Sequence, residues 1–123
     1  MKRALVKAVA VALLLVLPII AFAGNNDLNP GKMAALELMG LQKQGVAQVI
    51  INEPVVILYF EYEVWKKLNQ REKHNLGKTL LDYIKLGNED RKIYDTGLIV
   101  EKATKKDILA IIIVEENRIK IKK

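Results

Sequence analysis

The chain has 123 residues, a formal net charge of +6 from 20 Lys plus Arg against 14 Asp plus Glu, no Cys and one His. That length holds one domain, and the missing Cys excludes disulfide frameworks, Cys-ligated metal sites, Cys nucleophiles and a lipidated N-terminal Cys. One His excludes schemes that need two imidazoles, and 51% hydrophobic with 28% charged residues excludes intrinsic disorder.

Met1-Lys2-Arg3 precede an apolar run from Ala4 to Ala23, broken only by Lys7 and Pro18. A basic start, an apolar centre and the small-x-small ending Ala21-Phe22-Ala23 are the pattern of a secretory signal peptide over residues 1–23. Cleavage is expected between Ala23 and Gly24, with Pro18 breaking the helix before that point. An uncleaved anchor is the competing reading, because about 20 apolar residues just span a bilayer. The small-residue ending and the polar Gly24-Asn25-Asn26-Asp27 favour cleavage. Cleavage removes Lys2, Arg3 and Lys7, so it halves the net charge. The remaining chain, about 100 residues long, folds without disulfides and is not membrane-spanning. The expected location is periplasmic or extracellular.

Residues 24–29 read as a flexible linker and 30–123 as one small domain. Asn29-Pro30 is a helix start, Asn as cap and Pro at the first helical position. The helix is expected from Pro30 to Gln44, with Gly45 as its left-handed end. Its apolar face is read as Met33, Leu36, Met39 and Gly40, widened by Leu38 and Leu41. Val46 to Ile51 reads as a strand, Asn52-Glu53-Pro54 as a turn, and Val55 to Phe60 as a second strand of the same hairpin. Val55-Val56-Ile57-Leu58 has no alternation, the pattern of a strand covered on both faces.

Glu63 to Leu68 is a single helical turn that carries Trp65 and Leu68 into the core. Asn69-Gln70-Arg71-Glu72 is a capping box for a helix from Gln70 to Leu86, ended by Gly87. Lys92 to Glu101 is a strand interrupted at Asp95-Thr96-Gly97. Ile108 to Val114 is an unbroken apolar run and the candidate central strand. Arg118-Ile119-Lys120-Ile121-Lys122 alternates strictly, with Lys blunting an edge strand. The order α-β-β-α-β-β-β predicts an α+β fold of two layers: a mostly antiparallel sheet of four to five strands with two helices on one face. An exposed second face needs clean alternation, and two strands lack it. Either they are central or a partner covers that face.

Few residues carry chemistry. His74 falls on the polar side of its helix among Arg71, Lys73 and Lys78, without an orienting carboxylate, and reads as a solvated residue. Glu61 and Glu63 share a face if they lie on a strand, yet so short a chain has little material for the cleft that paired carboxylates need. Asp95-Thr96-Gly97 matches the triplet of aspartic proteases, which work with two such Asp. Only one copy is present, and a turn whose Gly supplies positive φ explains it. Tyr59, Phe60, Tyr62 and Trp65 are read as core packing rather than a ligand strip. No phosphate loop, nucleophile elbow or metal-ligand spacing occurs. No catalytic residue, metal ligand or cofactor is therefore expected.

Arg118, Lys120, Lys122 and Lys123 are the one feature that implies a partner. They are the candidate contact for anionic headgroups, cell-wall polymer or an acidic protein surface. Nucleic acid is not expected, since no stacking aromatic interleaves with the cations. The sequence thus points to a small exported, non-enzymatic binding or accessory domain acting by protein–protein contact or self-association. The alternative is an electrostatic binder of an anionic envelope surface through the basic C-terminal strand.

Overall fold

The structure, a computed structural model, describes residues 29–123; the signal segment 1–23, the cleavage point at Ala23 and Gly24, and residues 24–28 of the linker lie outside the described residues. The elements are α1 (Pro30–Lys43), β1 (Ala47–Asn52), β2 (Val55–Phe60), the single turn α2 (Tyr62–Trp65), α3 (Gln70–Gly87), β3 (Thr96–Glu101), β4 (Ile108–Ile113) and β5 (Arg118–Ile121). The strands form one five-stranded sheet in the order β1-β2-β3-β4-β5. This is the expected α+β architecture and element order, with the lead-in turn α2 as a third, short helix. The sheet is mixed: β2 pairs with β3 in parallel, and the other pairings are antiparallel. The chain leaves β2, passes through α2 and α3, and returns beside β2, the crossover that a parallel pair requires. The middle strand is β3, while the apolar run of β4 lies one strand in from the edge.

Local chemistry sets the helix ends. Asn29 Oδ1 accepts the Lys32 N–H at 2.8 Å, satisfying one of the donors left free by the first turn of α1. Gly45 at φ +75° turns the chain out of α1, and the Val46 N–H donates to the Leu41 carbonyl at 3.1 Å. In the capping box of α3, Asn69 Oδ1 accepts from Glu72 N–H at 2.8 Å and Glu72 Oε1 from Asn69 N–H at 2.9 Å. At its other end Gly87 stays helical and Asn88 is the cap. The Asn88 side chain donates to the Tyr94 carbonyl at 2.7 Å and accepts from the N–H groups of Ile93 and Tyr94. Those bonds occupy the backbone that an earlier strand start would need, so β3 begins at Thr96 and not at Lys92.

The core lies between the sheet and the helices. Val56, Leu58 and Phe60 of β2, Ile99 of β3, and Leu109, Ala110 and Ile112 of β4 meet Leu38 and Leu41, Val64 and Trp65, and Leu76, Leu80, Leu81 and Ile84. Trp65 packs edge-on to Phe60 at 6.2 Å, and the Lys73 ammonium lies 5.3 Å from the indole centroid. Lys73 Nζ also donates to the main-chain oxygen of Lys123 at 2.9 Å, which ties the end of β5 to α3.

Two expectations change here. Gly97 is a strand residue without positive φ, not a turn residue. A Cβ there would stand 2.7 Å from Ile84 Cδ1 and 3.2 Å from Ile112 Cβ, so its lack of a side chain is what lets α3 sit down on β3. In α1 the inward stripe is Ala34, Glu37, Leu38 and Leu41, which leaves Leu36 45% and Met39 48% exposed. Both stripes have helical spacing, and the one containing a carboxylate faces α3.

Glu37 is buried there and accepts from Thr79 Oγ1 at 3.1 Å. Burial pushes its carboxyl above the usual carboxylate range, the Thr79 hydroxyl opposes this, and Asp82 adds to it. Folding then favours the protonated form, and the contribution of Glu37 to stability falls as pH rises through the raised folded value. Glu37→Gln is expected to gain stability over the wild type as pH rises through that window. The two proteins converge below the unfolded-state value; a difference in urea midpoints that is constant with pH would contradict this account. Gly97→Ala is expected to lower stability by about 1–3 kcal/mol through overpacking. An unchanged urea midpoint would show that α3 can lift without penalty.

Candidate functional site

Pairing register sorts every strand residue to one of two faces. The face under the helices carries the core. The opposite face carries rows that run straight across the sheet: Gln48–Tyr59–Val100–Ile108, Ile50–Ile57–Leu98–Ile111–Lys120, and Asn52–Val55–Thr96–Ile113–Arg118. No helix among the described residues lies on this side, because α1, α2 and α3 all contribute to the core on the other. The expectation that Val55 to Leu58 is covered on both faces is therefore not met. Burial in β2 alternates, with Val56, Leu58 and Phe60 buried and Val55, Ile57 and Tyr59 only partly so.

The open face is apolar in its middle and polar at its flanks. Ile57, Leu98, Ile111 and Ile113 are half-buried by one another, and Ile50 and Ile108 are 36% and 38% exposed. Gln48 and Asn52 mark the β1 flank. Arg118 and Lys120 mark the β5 flank, because the alternation of β5 sends Ile119 and Ile121 toward the core and the cations to the open side. Lys105 Nζ stands 5.5 Å from the Tyr59 ring centroid, a third cation at the face. No position in these rows is Asp or Glu. The acids next to the rows sit at both ends, Glu53, Asp95, Glu115 and Glu116 at one, where Glu116 lies 3.7 Å from Arg118, and Glu61, Glu101 and Asp107 at the other.

The candidate basic ridge is thus divided. Arg118 and Lys120 share the open face, whereas Lys122 and Lys123 follow the end of β5, their N–H groups donating to the Leu109 carbonyl at 2.8 and 3.3 Å. All four residues are exposed.

The remaining candidates are scattered. His74 is exposed on α3. Glu61 caps α2 and Glu63 stands in its first turn, 3.0 Å from Lys66, so the two do not share a strand face. Trp65 and Phe60 are core residues, Tyr59 belongs to the open face, and Tyr62 is exposed. An open cleft of about 530 Å³ is lined by residues that include Lys85, Asn88, Tyr94, Asp95 and Glu115. Asp95 accepts from the Thr96 hydroxyl at 2.8 Å, and the lining contains no Ser, Cys or His to pair with a base. Among the described residues no cluster of His, Cys, Asp or Glu is arranged to hold a metal, and no helix is long and apolar enough to cross a membrane.

No protein-family model, curated protein or solved structure matches the chain. The arrangement of its own residues carries the functional reading.

If the face is open in the isolated domain, Ile50→Ser and Ile108→Ser are expected to change stability by less than about 1 kcal/mol, whereas Leu58→Ala costs about 2–5 kcal/mol. Chemical denaturation checks this. Comparable losses at all three positions would mean that the face is covered.

Proposed function

We propose that this protein is a small exported, non-enzymatic binding or accessory domain that acts by protein–protein contact through the open face of its sheet. The supporting observation is the apolar row Ile50–Ile57–Leu98–Ile111, continuous across four strands with no described element above it. A contiguous apolar patch rimmed by polar residues is a mark of an interaction site. A flat surface of aliphatic side chains positions no nucleophile, base or metal. What it offers is contact area. The export half of the proposal draws on the signal pattern of residues 1–23 and the cleavage point between Ala23 and Gly24.

A second reading, contact with an anionic envelope surface through the basic C-terminal strand, draws support from the exposed Arg118, Lys120, Lys122 and Lys123. The two readings overlap at Arg118 and Lys120, which border the apolar rows. The apolar middle favours protein contact, because electrostatic attraction alone has no use for it.

A photo-crosslinking residue placed at Leu98 or Ile111, with His74 as control, is expected to trap protein when the producing cells are irradiated. The product is either a distinct partner or a second copy, and His74 gives none. Equal yields at all three positions, or no product from the sheet, would remove the open face as a protein contact.

A further inference from the structure

The rows of the open face also carry information about what covers them. We infer that the occupant is an amphipathic α-helix of a separate protein, lying along β3 and β4 with an acidic flank toward β5. This inference rests on the reading that the face makes protein contact, and adds the partner's chemistry.

Side chains of the same kinds line both faces. Val56, Leu58, Ile99 and Ile112 receive helices on the covered side, and Ile57, Leu98, Ile111 and Ile113 stand in the same pleated pattern on the open side. A helix is the layer that such a surface already holds once in this fold. Strands of six residues are about 20 Å long, which a helix of about 13 residues spans. Laid over Leu98 and Ile111, its one side lies over Val55 and Ile57 of β2, which carry no charge. Its other side meets Lys120 and Arg118, and near one end it passes Tyr59 and the Lys105 ammonium.

Charge narrows the choice of occupant. A second copy stacked face to face would bring two sets of Lys105, Arg118 and Lys120 into one water-poor layer, with no acid in the facing rows. The chain's own N-terminal apolar stretch carries Lys2, Arg3 and Lys7, which add cations to cations. A helix with Glu or Asp along one flank supplies the missing sign. Arg118 is partly answered by Glu116 at 3.7 Å, so Lys120 is the main determinant of the preference at the β5 flank.

The probes are two 18-residue helical peptides sharing a Leu face, one flanked by Glu and Gln and the other by Lys and Gln. Each is titrated into the isotope-labelled protein as its host processes it. The acidic peptide is expected to shift the resonances of Ile57, Leu98 and Ile111, and to bind about fivefold or more tighter than the basic one at low salt. Lys120→Glu with Arg118→Glu, both exposed changes that leave the core intact, should reverse the order.

Equal binding of the two peptides, binding of neither, or shifts centred on Leu36 and Met39 would overturn the inference. So would sedimentation with phosphatidylglycerol vesicles that protects the same sheet residues, which would assign the face to a membrane. Crosslinks at Leu98 or Ile111 to protein, combined with failure of the acidic peptide, would leave the face a protein contact and reject only the acidic helix. Absence of both would reject the two together.

Discussion

The seating of α3 on β3 at Gly97 is the contact on which the rest of the domain depends. With no Cβ on Gly97, the Ile84 and Leu80 side chains of α3 come close to the backbone of the middle strand. The crossover helix thus sits over the strand that pairs in parallel with β2, on the face where Val56, Leu58, Ile99 and Ile112 are buried. The other helices follow. α1 packs along α3, and α2 delivers Trp65 to the same side, where Phe60 and the Lys73 ammonium enclose the indole. Because the long helices lie on one face, the aliphatic residues of the other are left in the open. The core and the candidate contact surface are therefore the two sides of one sheet.

The legible part of this fold is the part encoded by local chemistry. Asn29-Pro30, Gly45 and the Asn69–Glu72 box act within a few residues, and each stands where its side-chain chemistry predicts. The inward face of α1 was legible in part: Leu38 and Leu41, read as widening the stripe of Met33, Leu36, Met39 and Gly40, are buried, while Leu36 and Met39 are exposed. Glu37 is held on the inner side by the Thr79 hydroxyl of α3, a contact between helices that no local pattern carries. The parallel pairing of β2 with β3 was equally hidden, since an aliphatic strand reads alike whichever way its neighbour runs. Gly97 suggested a turn because Asp-Thr-Gly is turn chemistry, with Gly where a positive φ is usually needed. Its actual reason, a helix side chain 2.7 Å from where a Cβ would stand, is a tertiary fact.

The candidate site was legible in outline. The missing alternation in Val55 to Leu58 and in Ile108 to Val114 signals more apolar surface than two helices can cover. Sequence left two explanations open, central strands or a covered second face, and the register separates them: β2 and β4 are interior strands, yet one face of each has no described cover. The basic strand was visible as a ridge, but its relation to the apolar surface was not. Alternation turns Arg118 and Lys120 onto the open face and Ile119 and Ile121 into the core, and this parity joins two separate sequence features into one surface.

That joining bears on the partner chemistry inferred for the open face. An edge strand is protected when an incoming strand must desolvate charged side chains, and β5 meets that condition with Arg118 and Lys120. A flat aliphatic face has no such protection from hydrogen bonding, since its backbone groups are already paired within the sheet. What discourages stacking there is charge carried on the same face, and the cations at β5 and above Tyr59 provide it without interrupting the apolar rows. Acids among those rows would have given each copy a complement for the cations of the next. Their absence from the rows is what the inferred acidic partner rests on. On that proposal, the cations bordering the uncovered face set the chemistry of what it meets.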